Sequence, residues 1–199
     1  MINAYDFDGT IYDGDSSVDF FLYCLKRKPS IIIMAPIQLW GALLYVLKIK
    51  NKDYMKERIF SFLKRLNNVD QYVDDFWKQN DKKIKKWYLD QKDKSDVIIS
   101  ASPEFLLKPM EKKLKVDRVI GTKTNKKTGK FESKNCHDYE KIKRYEELYK
   151  KNTIKRFYSD SIKADYAMLE YAKEAYLVEK EKVTKINIKD YEKYKGDAV

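Results

Sequence analysis

The fold is decided by a stretch near the start of the chain, Ile2-Asn3-Ala4-Tyr5-Asp6-Phe7-Asp8-Gly9-Thr10. Its apolar residues form a short run that stops at an Asp-Gly-Thr turn, a pattern typical of a strand that ends in a loop. Asp6 and Asp8 stand two positions apart where this strand ends. Because side chains two positions apart point to the same side of an extended chain, we expect both carboxylates to face one site.

Strand and helix patterns alternate after residue 95. We predict strands at 96–99, 117–121, 155–158, 175–178 and 185–188. We predict helices at 103–115, 139–149 and 165–173, and a turn or hairpin at 123–131. Strands that alternate with helices indicate an α/β fold, with a parallel sheet and crossover helices.

A long helical pattern separates the first strand from the second. From 17 to about 94, apolar residues recur at spacings of three and four. This stretch is too large for a simple crossover, so we interpret it as an inserted helical cap. The predicted domains are a core formed by 1–14 and 95–199 and a cap formed by 15–94.

Polar side chains follow three of the predicted strands. Asp6 and Asp8 follow the first, Ser100 ends the second, and Asp160 with Asp165 follows a later one. In open parallel sheets, ligands bind beyond the carboxyl ends of the strands. A carboxylate can attack phosphorus, a second one can protonate the leaving oxygen, and carboxylate oxygens can hold a hard dication.

Each of these residues also has an ordinary structural interpretation. Asp, Gly and Thr are common in turns, and Ser100 and Asp160 are both placed to cap a helix. Lys141, at the start of a predicted helix, is one of many lysines. Order, spacing and position at strand ends, taken together, favour a catalytic site.

These motifs resemble the haloacid dehalogenase superfamily of phosphatases that use an aspartate nucleophile, and its phosphoserine-phosphatase-like branch in particular. Asp6-Phe7-Asp8-Gly9-Thr10 is similar to the first motif, and Ile98-Ile99-Ser100 to the second. Lys141 suits the third, and Ser159-Asp160-Ser161 with Asp165 is similar to the fourth. Many members carry Gly where this chain has Ser159. The resemblance implies a Rossmann-like core with a cap between the first and second motifs, as predicted here.

The resemblance also implies a magnesium cofactor and a role for each carboxylate. Asp6 would be the nucleophile and a magnesium ligand. Asp8 would be the general acid and then the base, with its backbone carbonyl on the metal. Asp160 would be a metal ligand, and Asp165 a ligand or a residue that orients one.

The phosphate group, by the same resemblance, would be held by Thr10, Ser100 and Lys141. We favour Lys141 over Lys134 or Lys143 because residues 135–141 resemble the segment that enters this helix in relatives.

The charge balance points to anionic partners. The chain of 199 residues has 37% charged residues and a formal net charge of +11. Such a balance suits phosphorylated metabolites, anionic lipid surfaces or nucleic acid, although a solvated lysine-rich surface explains it equally well. With only Cys24 and Cys136, and no pattern of a secretory signal, we expect a reduced, cytoplasmic setting.

The predicted cap contains a run without formal charge, residues 31–47, with Lys26-Arg27-Lys28 before it and Lys48, Lys50 and Lys52 after it. It is either a buried cap helix or a segment at a membrane interface, which the basic flanks would suit. A full membrane span is less favoured, because both flanks are basic.

The sequence therefore predicts a phosphomonoester hydrolase. Its substrate would be a phospholipid headgroup phosphate, because the layout resembles lipid-headgroup phosphatases of the superfamily, or a soluble metabolite such as phosphoserine. A basic nucleic-acid-binding protein is a third interpretation, but the sequence has no recognisable nucleic-acid motif and we expect no nucleic acid partner.

Overall fold

A six-stranded sheet forms the centre of the structure, a computed structural model that describes residues 1–195. The strands are β1 (Ile2–Tyr5), β2 (Val97–Pro103), β3 (Arg118–Thr122), β4 (Ile154–Ser159), β5 (Glu174–Glu179) and β6 (Lys182–Ile186). Their order is β3-β2-β1-β4-β5-β6, and the first five run parallel. The predicted α/β fold is confirmed. The end of the predicted core, 196–199, lies outside the described residues.

The sixth strand differs from the rest of the sheet. β6 pairs antiparallel with β5, and Lys180-Glu181 alone join the two. Two residues can close a hairpin but cannot form the crossover that a parallel strand needs. A strand was predicted in this region at 185–188, whereas the structure places it at Lys182–Ile186.

Both faces of the sheet are buried. Ala4, Val97 and Phe157 face one apolar cluster, and their neighbours Tyr5 and Ile98 face the other. The first cluster includes residues of α7 (Tyr139–Glu146) and α8 (Ile162–Tyr171), and the second residues of α6 (Glu104–Leu114). Alternate side chains of a strand point to opposite faces, so neighbouring residues such as Ala4 and Tyr5, or Val97 and Ile98, are apolar together.

The predicted cap region consists of helices, as expected. They are α1 (Ser16–Arg27), α2 (Ala35–Val46), α3 (Lys52–Ile59), α4 (Val69–Asn80) and α5 (Lys86–Gln91), with 3-10 segments at Pro29–Met34, Phe60–Arg65 and Asp81–Lys83. A fourth 3-10 segment, Ile188–Tyr194, follows β6. Phe20, Phe76 and Trp77 share a core with Tyr5 and Ile98 of the sheet. The domain boundaries stay a prediction, because the apolar core of this helical region is continuous with that of the sheet.

The uncharged run 31–47 is not a buried cap helix in the structure. By length and composition Pro29–Val46 could cross a membrane, with a mean hydropathy of 1.6, but only 11% of it is buried. Gly41 is the one buried residue of α2. The alternative of a buried helix is therefore wrong.

Candidate active site

The polar strand ends meet at one edge of the sheet. β1 lies between β2 and β4, and all three run parallel. Asp6 continues the ladder beyond β1, because its N–H donates to the carbonyl of Tyr158 at 2.9 Å. Ser100 lies in β2, and Asp160 directly follows β4. The parallel register therefore brings side chains that are far apart in sequence to one place.

Lys141 links two of the predicted carboxylates. Its Nζ lies 2.6 Å from Oδ1 of Asp6 and 2.5 Å from Oδ1 of Asp165. Ser159 Oγ donates to the other oxygen of Asp165 at 2.7 Å. Burial alone would lower the pKa of Lys141, but the carboxylates of Asp165 and Asp6 raise it above its usual value. The ammonium thus stays charged although its side chain is buried.

Contacts between α7 and α8 place Lys141 in this position. Asp138, which precedes α7, has a positive φ of 48°, and its carboxylate accepts from the N–H of Ala167 in α8 at 3.3 Å. Few residues other than glycine adopt such a φ without strain, and strained residues concentrate at functional sites. Asp165 lies in the first turn of α8, so this bond joins the two helices close to the Lys141–Asp165 contact.

Asp8 accepts hydrogen bonds from two neighbouring segments. The N–H of Ser16 donates to Oδ1 at 2.6 Å, and the hydroxyl of Ser102 donates to Oδ2 at 2.5 Å. Ser100 Oγ stands 3.5 Å from the same Oδ2. Burial raises the pKa of Asp8, while the bonds from Ser102 and Ser16 oppose the rise. A raised pKa favours the protonated carboxyl group that a general acid needs.

Gly9, between Asp8 and Thr10, allows the side chain of Asp160 to come close to the loop after β1. Gly9 has a φ of +72°, and a Cβ added there would lie 2.1 Å from Oδ2 of Asp160. Thr10 is fully buried, donates to Oδ1 of Asp160 at 3.2 Å and accepts from its N–H at 2.9 Å. Lys85 donates to the Gly9 carbonyl. The Gly-Thr pair therefore fixes the loop that carries Asp160.

A cavity of about 440 Å³ opens above these residues. The sheet side is lined by Asp6, Asp8, Ser100, Lys141, Asp160 and Asp165. Apolar residues of α1, α3 and the segment after α3 line another part of it and are called the apolar roof here; they are Val18, Phe21, Met55, Ile59 and Phe60. The polar groups at the sheet thus share one open cavity with apolar side chains of the helical region.

Lys56 of α3 lines the cavity, and the groups that accept its hydrogen bonds are neutral. Its Nζ donates to Asn135 Oδ1 at 3.2 Å and to the carbonyl of Ala101 at 3.4 Å. Burial and the nearby charge of Lys52 lower the pKa of Lys56 to about 8. A desolvated ammonium without a carboxylate partner is a favourable position for an anionic ligand.

A comparison with protein-family models matches residues 4–170 to haloacid dehalogenase-like hydrolases. The chain belongs to this hydrolase family. The match spans every residue that lines the sheet side of the cavity. No curated protein matches the chain by sequence.

Solved structures similar to this hydrolase show the same fold. A protein of unknown function from Bordetella pertussis Tohama I has a TM-score of 0.68 at 17% identity, over 87% of this chain and 88% of that one. A phosphoserine phosphohydrolase-like protein from Francisella tularensis has a TM-score of 0.53 at 17% identity, over 88% of this chain and 86% of that one. A probable phosphoserine phosphatase from Vibrio cholerae has a TM-score of 0.59 at 9% identity, over 88% of this chain and 55% of that one.

The carboxylates of this hydrolase fit magnesium by their chemistry. Asp6, Asp8, Asp160 and Asp165 offer only oxygen ligands, which magnesium prefers, and all four line one cavity. Within residues 1–195, however, no three acidic, His or Cys side chains stand together as a ready metal group. The Lys141 ammonium occupies the space between Asp6 and Asp165, and Thr10 bonds to Asp160.

The structure thus brings together the residues that the sequence singled out, with one difference. Thr10, predicted to hold phosphate, has its hydroxyl engaged with Asp160. Sequence reasoning did not assign roles to Ser16, Ser102 or Lys56. Ser102 could have been found, because it lies two positions after Ser100 on the same strand. The contacts of Ser16 and Lys56 depend on cap packing, which no local pattern reveals.

Proposed function

We propose that the protein is a magnesium-dependent phosphomonoester hydrolase that acts through an aspartyl-phosphate on Asp6. The observation that carries the proposal is the shared cavity of Asp6, Asp8, Ser100 and Lys141 at the strand ends of a hydrolase-family core. A nucleophilic carboxylate, a second carboxyl group two positions away and a buried ammonium are the groups that phosphoryl transfer needs.

The reaction divides into two displacements. An oxygen of Asp6 attacks phosphorus while the bond from phosphorus to the leaving alcohol breaks, and Asp8 gives its proton to the leaving oxygen. Water then attacks the aspartyl-phosphate, Asp8 takes a proton from this water, and Asp6 and inorganic phosphate are released. The hydroxyl of Ser100 and the ammonium of Lys141 would bind phosphate oxygens in both steps.

Magnesium would be held by Asp6, Asp160, the backbone carbonyl of Asp8 and, directly or through orientation, Asp165. When bound, the ion offsets the repulsion between a carboxylate nucleophile and a phosphate dianion. Thr10 is then a residue that positions Asp160, as its two hydrogen bonds indicate.

The substrate we propose is a phospholipid headgroup phosphate, reached by peripheral contact of a cytoplasmic protein with the membrane. The basic cluster 26–28, the uncharged run 31–47 and Tyr158-Ser159-Asp160-Ser161 together resemble the layout of phosphatidylglycerophosphatase C. The apolar roof of the cavity suits a substrate that has an apolar part beyond its phosphate-bearing headgroup. The competing candidate is a soluble phosphomonoester such as phosphoserine.

The test replaces the nucleophile. Asp6→Asn should lose at least about 10⁴-fold in turnover of p-nitrophenyl phosphate, because the covalent step is removed. Asp74→Asn, an exposed Asp on α4, serves as the matched control and should retain full activity. Chelation with EDTA should stop the wild-type reaction, and added magnesium should restore it. Turnover by Asp6→Asn equal to that of Asp74→Asn, or activity that survives chelation, would refute the mechanism.

A further inference from the structure

Most of the exposed large apolar side chains of the described chain are concentrated in one segment. They are Ile32, Ile33, Ile37, Leu39, Trp40, Leu43, Tyr45, Val46, Leu47 and Ile49. Five of them, Leu39, Trp40, Leu43, Val46 and Leu47, follow the spacing of one helical stripe along α2. We call these five residues the apolar stripe. Single exposed apolar residues need no explanation, but a contiguous patch of this kind marks an interaction surface.

The stripe points away from the rest of the protein. On its other side, α2 packs closely on α3, where a Cβ at Gly41 would lie 2.5 Å from Cβ of Arg58. Gln38 Nε2 donates to the carbonyl of Ile59 at 2.8 Å. At about 100° per residue, Leu43 lies about 200° around the helix from Gly41. The α2–α3 contact therefore leaves the stripe directed to the outside.

The stretches of chain just before and after the stripe are basic. Between Asp19 and Asp53 the chain has no Asp or Glu, and it carries Lys26, Arg27, Lys28, Lys48, Lys50 and Lys52. An apolar surface whose flanking stretches of chain carry only basic charges is complementary to an anionic lipid surface, whose headgroups attract the cations while the acyl region accepts the apolar side chains.

We propose that the apolar stripe docks on an anionic membrane surface, with α2 lying in the plane of the interface. That the docked protein then acts on a lipid headgroup rests on the proposed function. The helix does not span the bilayer, because Arg58 of α3 packs against its inner side. Carrying this charge into the hydrocarbon region would be costly.

Docking in this orientation brings the catalytic cavity to the headgroups. α3 touches α2 through Arg58, while its Met55, Lys56 and Ile59 line the catalytic cavity. Tyr45, near the end of α2, lines an adjoining cavity that shares Lys52 with the catalytic one. A lipid headgroup at the end of α2 would therefore be close to the entrance of the cavity.

Vesicle binding tests the docking surface directly. The full chain is mixed with vesicles of phosphatidylcholine containing phosphatidylglycerol, and with vesicles of phosphatidylcholine alone, at low salt. We expect strong binding to the anionic vesicles only. Trp40→Ser should weaken it roughly 10- to 100-fold, the weight of one buried large apolar side chain. Lys48→Gln with Lys50→Gln should weaken it roughly 30-fold, from about 1 kcal/mol for each lysine.

The matched controls are Leu148→Ser for the apolar change and Lys150→Gln with Lys155→Gln for the charge change. All three residues are exposed and lie outside α2, and their variants should bind as the wild type does. Fluorescence adds a second readout, because brominated lipids should quench the exposed Trp40 and the quenching should disappear in Trp40→Phe.

The outcomes separate this inference from the proposed function. Hydrolysis of p-nitrophenyl phosphate reports on catalysis alone and should be unchanged in every docking variant. No binding to anionic vesicles with catalysis intact would overturn the docking and leave the phosphatase standing. Binding to anionic vesicles without hydrolysis of p-nitrophenyl phosphate would support the docking and overturn the proposed phosphatase. Concentration-dependent dimers abolished by Trp40→Ser, without vesicle binding, would assign the stripe to a second copy and overturn the lipid proposal.

Discussion

At the carboxyl end of the sheet, charged side chains are buried, whereas on α2 large apolar side chains are exposed. Lys141 and Asp165 are 2% and 2% exposed, while Leu39 and Val46 are 70% and 73% exposed. Both regions run against the usual distribution of polar and apolar residues in a globular protein. The buried charges have partners within the chain, but the described chain leaves the apolar stripe uncovered.

This difference separates two kinds of functional surface. Buried charges are stable only where each is paired, so the carboxyl end of the sheet is organised before any ligand arrives. Exposed apolar surface gains nothing until a partner covers it. Substitutions in the first region should therefore change both stability and chemistry, and substitutions in the second should change neither in the isolated protein.

The largest effect in the buried, charged region is expected for Lys141→Met. Removing the ammonium leaves Asp6 and Asp165 buried without a counter-charge, which should reduce the free energy of unfolding by about 3–5 kcal/mol. Hydrolysis of p-nitrophenyl phosphate should also be lost. Urea unfolding and steady-state rates measure the two effects. Lys143→Met is the control, because Lys143 is an exposed lysine of the same helix. Wild-type stability in Lys141→Met would show that the charges are not paired as described.

The next largest effect is expected for Asp8, the proposed general acid. Asp8→Asn should reduce turnover roughly 10²- to 10⁴-fold, because an amide cannot give a proton to the leaving oxygen. The loss should be greater for alkyl phosphates, whose leaving groups need a proton, than for p-nitrophenyl phosphate. Ser102→Ala removes one donor to Asp8 but keeps the carboxyl group, so its loss should be smaller. An equal loss for both classes of leaving group would argue against Asp8 as the acid.

A smaller effect is expected at Lys56, on the cap side of the cavity. Lys56→Met should raise KM roughly tenfold, the weight of one charged hydrogen bond to substrate, with little change in kcat. Because burial and then Lys52 lower the pKa of Lys56 to about 8, the ammonium is present below that pH and lost above it. The wild-type KM should therefore rise above pH 8. Lys56→Arg, which stays charged, should keep the low KM, and a similar rise in Lys56→Met would exclude Lys56 as its cause.

The sequence predicted which polar side chains meet at the carboxyl end of the sheet because its signals are local. Asp6 and Asp8 stand at the end of one apolar run, and the parallel alternation of strands and helices fixes which strand ends meet. The contacts of Lys56 and Ser16 could not be predicted in this way, since they depend on how the cap folds over the core. The position of Thr10 beside Asp160 depends likewise on the close approach that Gly9 allows.

The uncharged run 31–47 shows where composition stops being informative. A buried helix and an interfacial helix have the same apolar content, so periodicity and length could not separate them. The structure separates them, because α3 packs closely on one side of α2 at Gly41 and the other side of α2 stays open. The sequence shows this small residue but does not reveal what it packs against.

The smallest expected effect is the sharpest test of the comparison, because it applies one chemical change to both kinds of apolar residue. Leu63→Ala, at a fully buried leucine, should reduce the free energy of unfolding by about 2–5 kcal/mol, since it removes buried methyl groups and leaves a cavity. Leu39→Ala, at a leucine that is 70% exposed, should change it by no more than about 0.5 kcal/mol. Urea unfolding at two protein concentrations measures both. A large, concentration-independent loss in Leu39→Ala would mean that the stripe is covered within the chain itself, and a loss that grows with concentration would mean that a second copy covers it. In either case the stripe would no longer be free for a membrane, and the contrast between the two regions would fail.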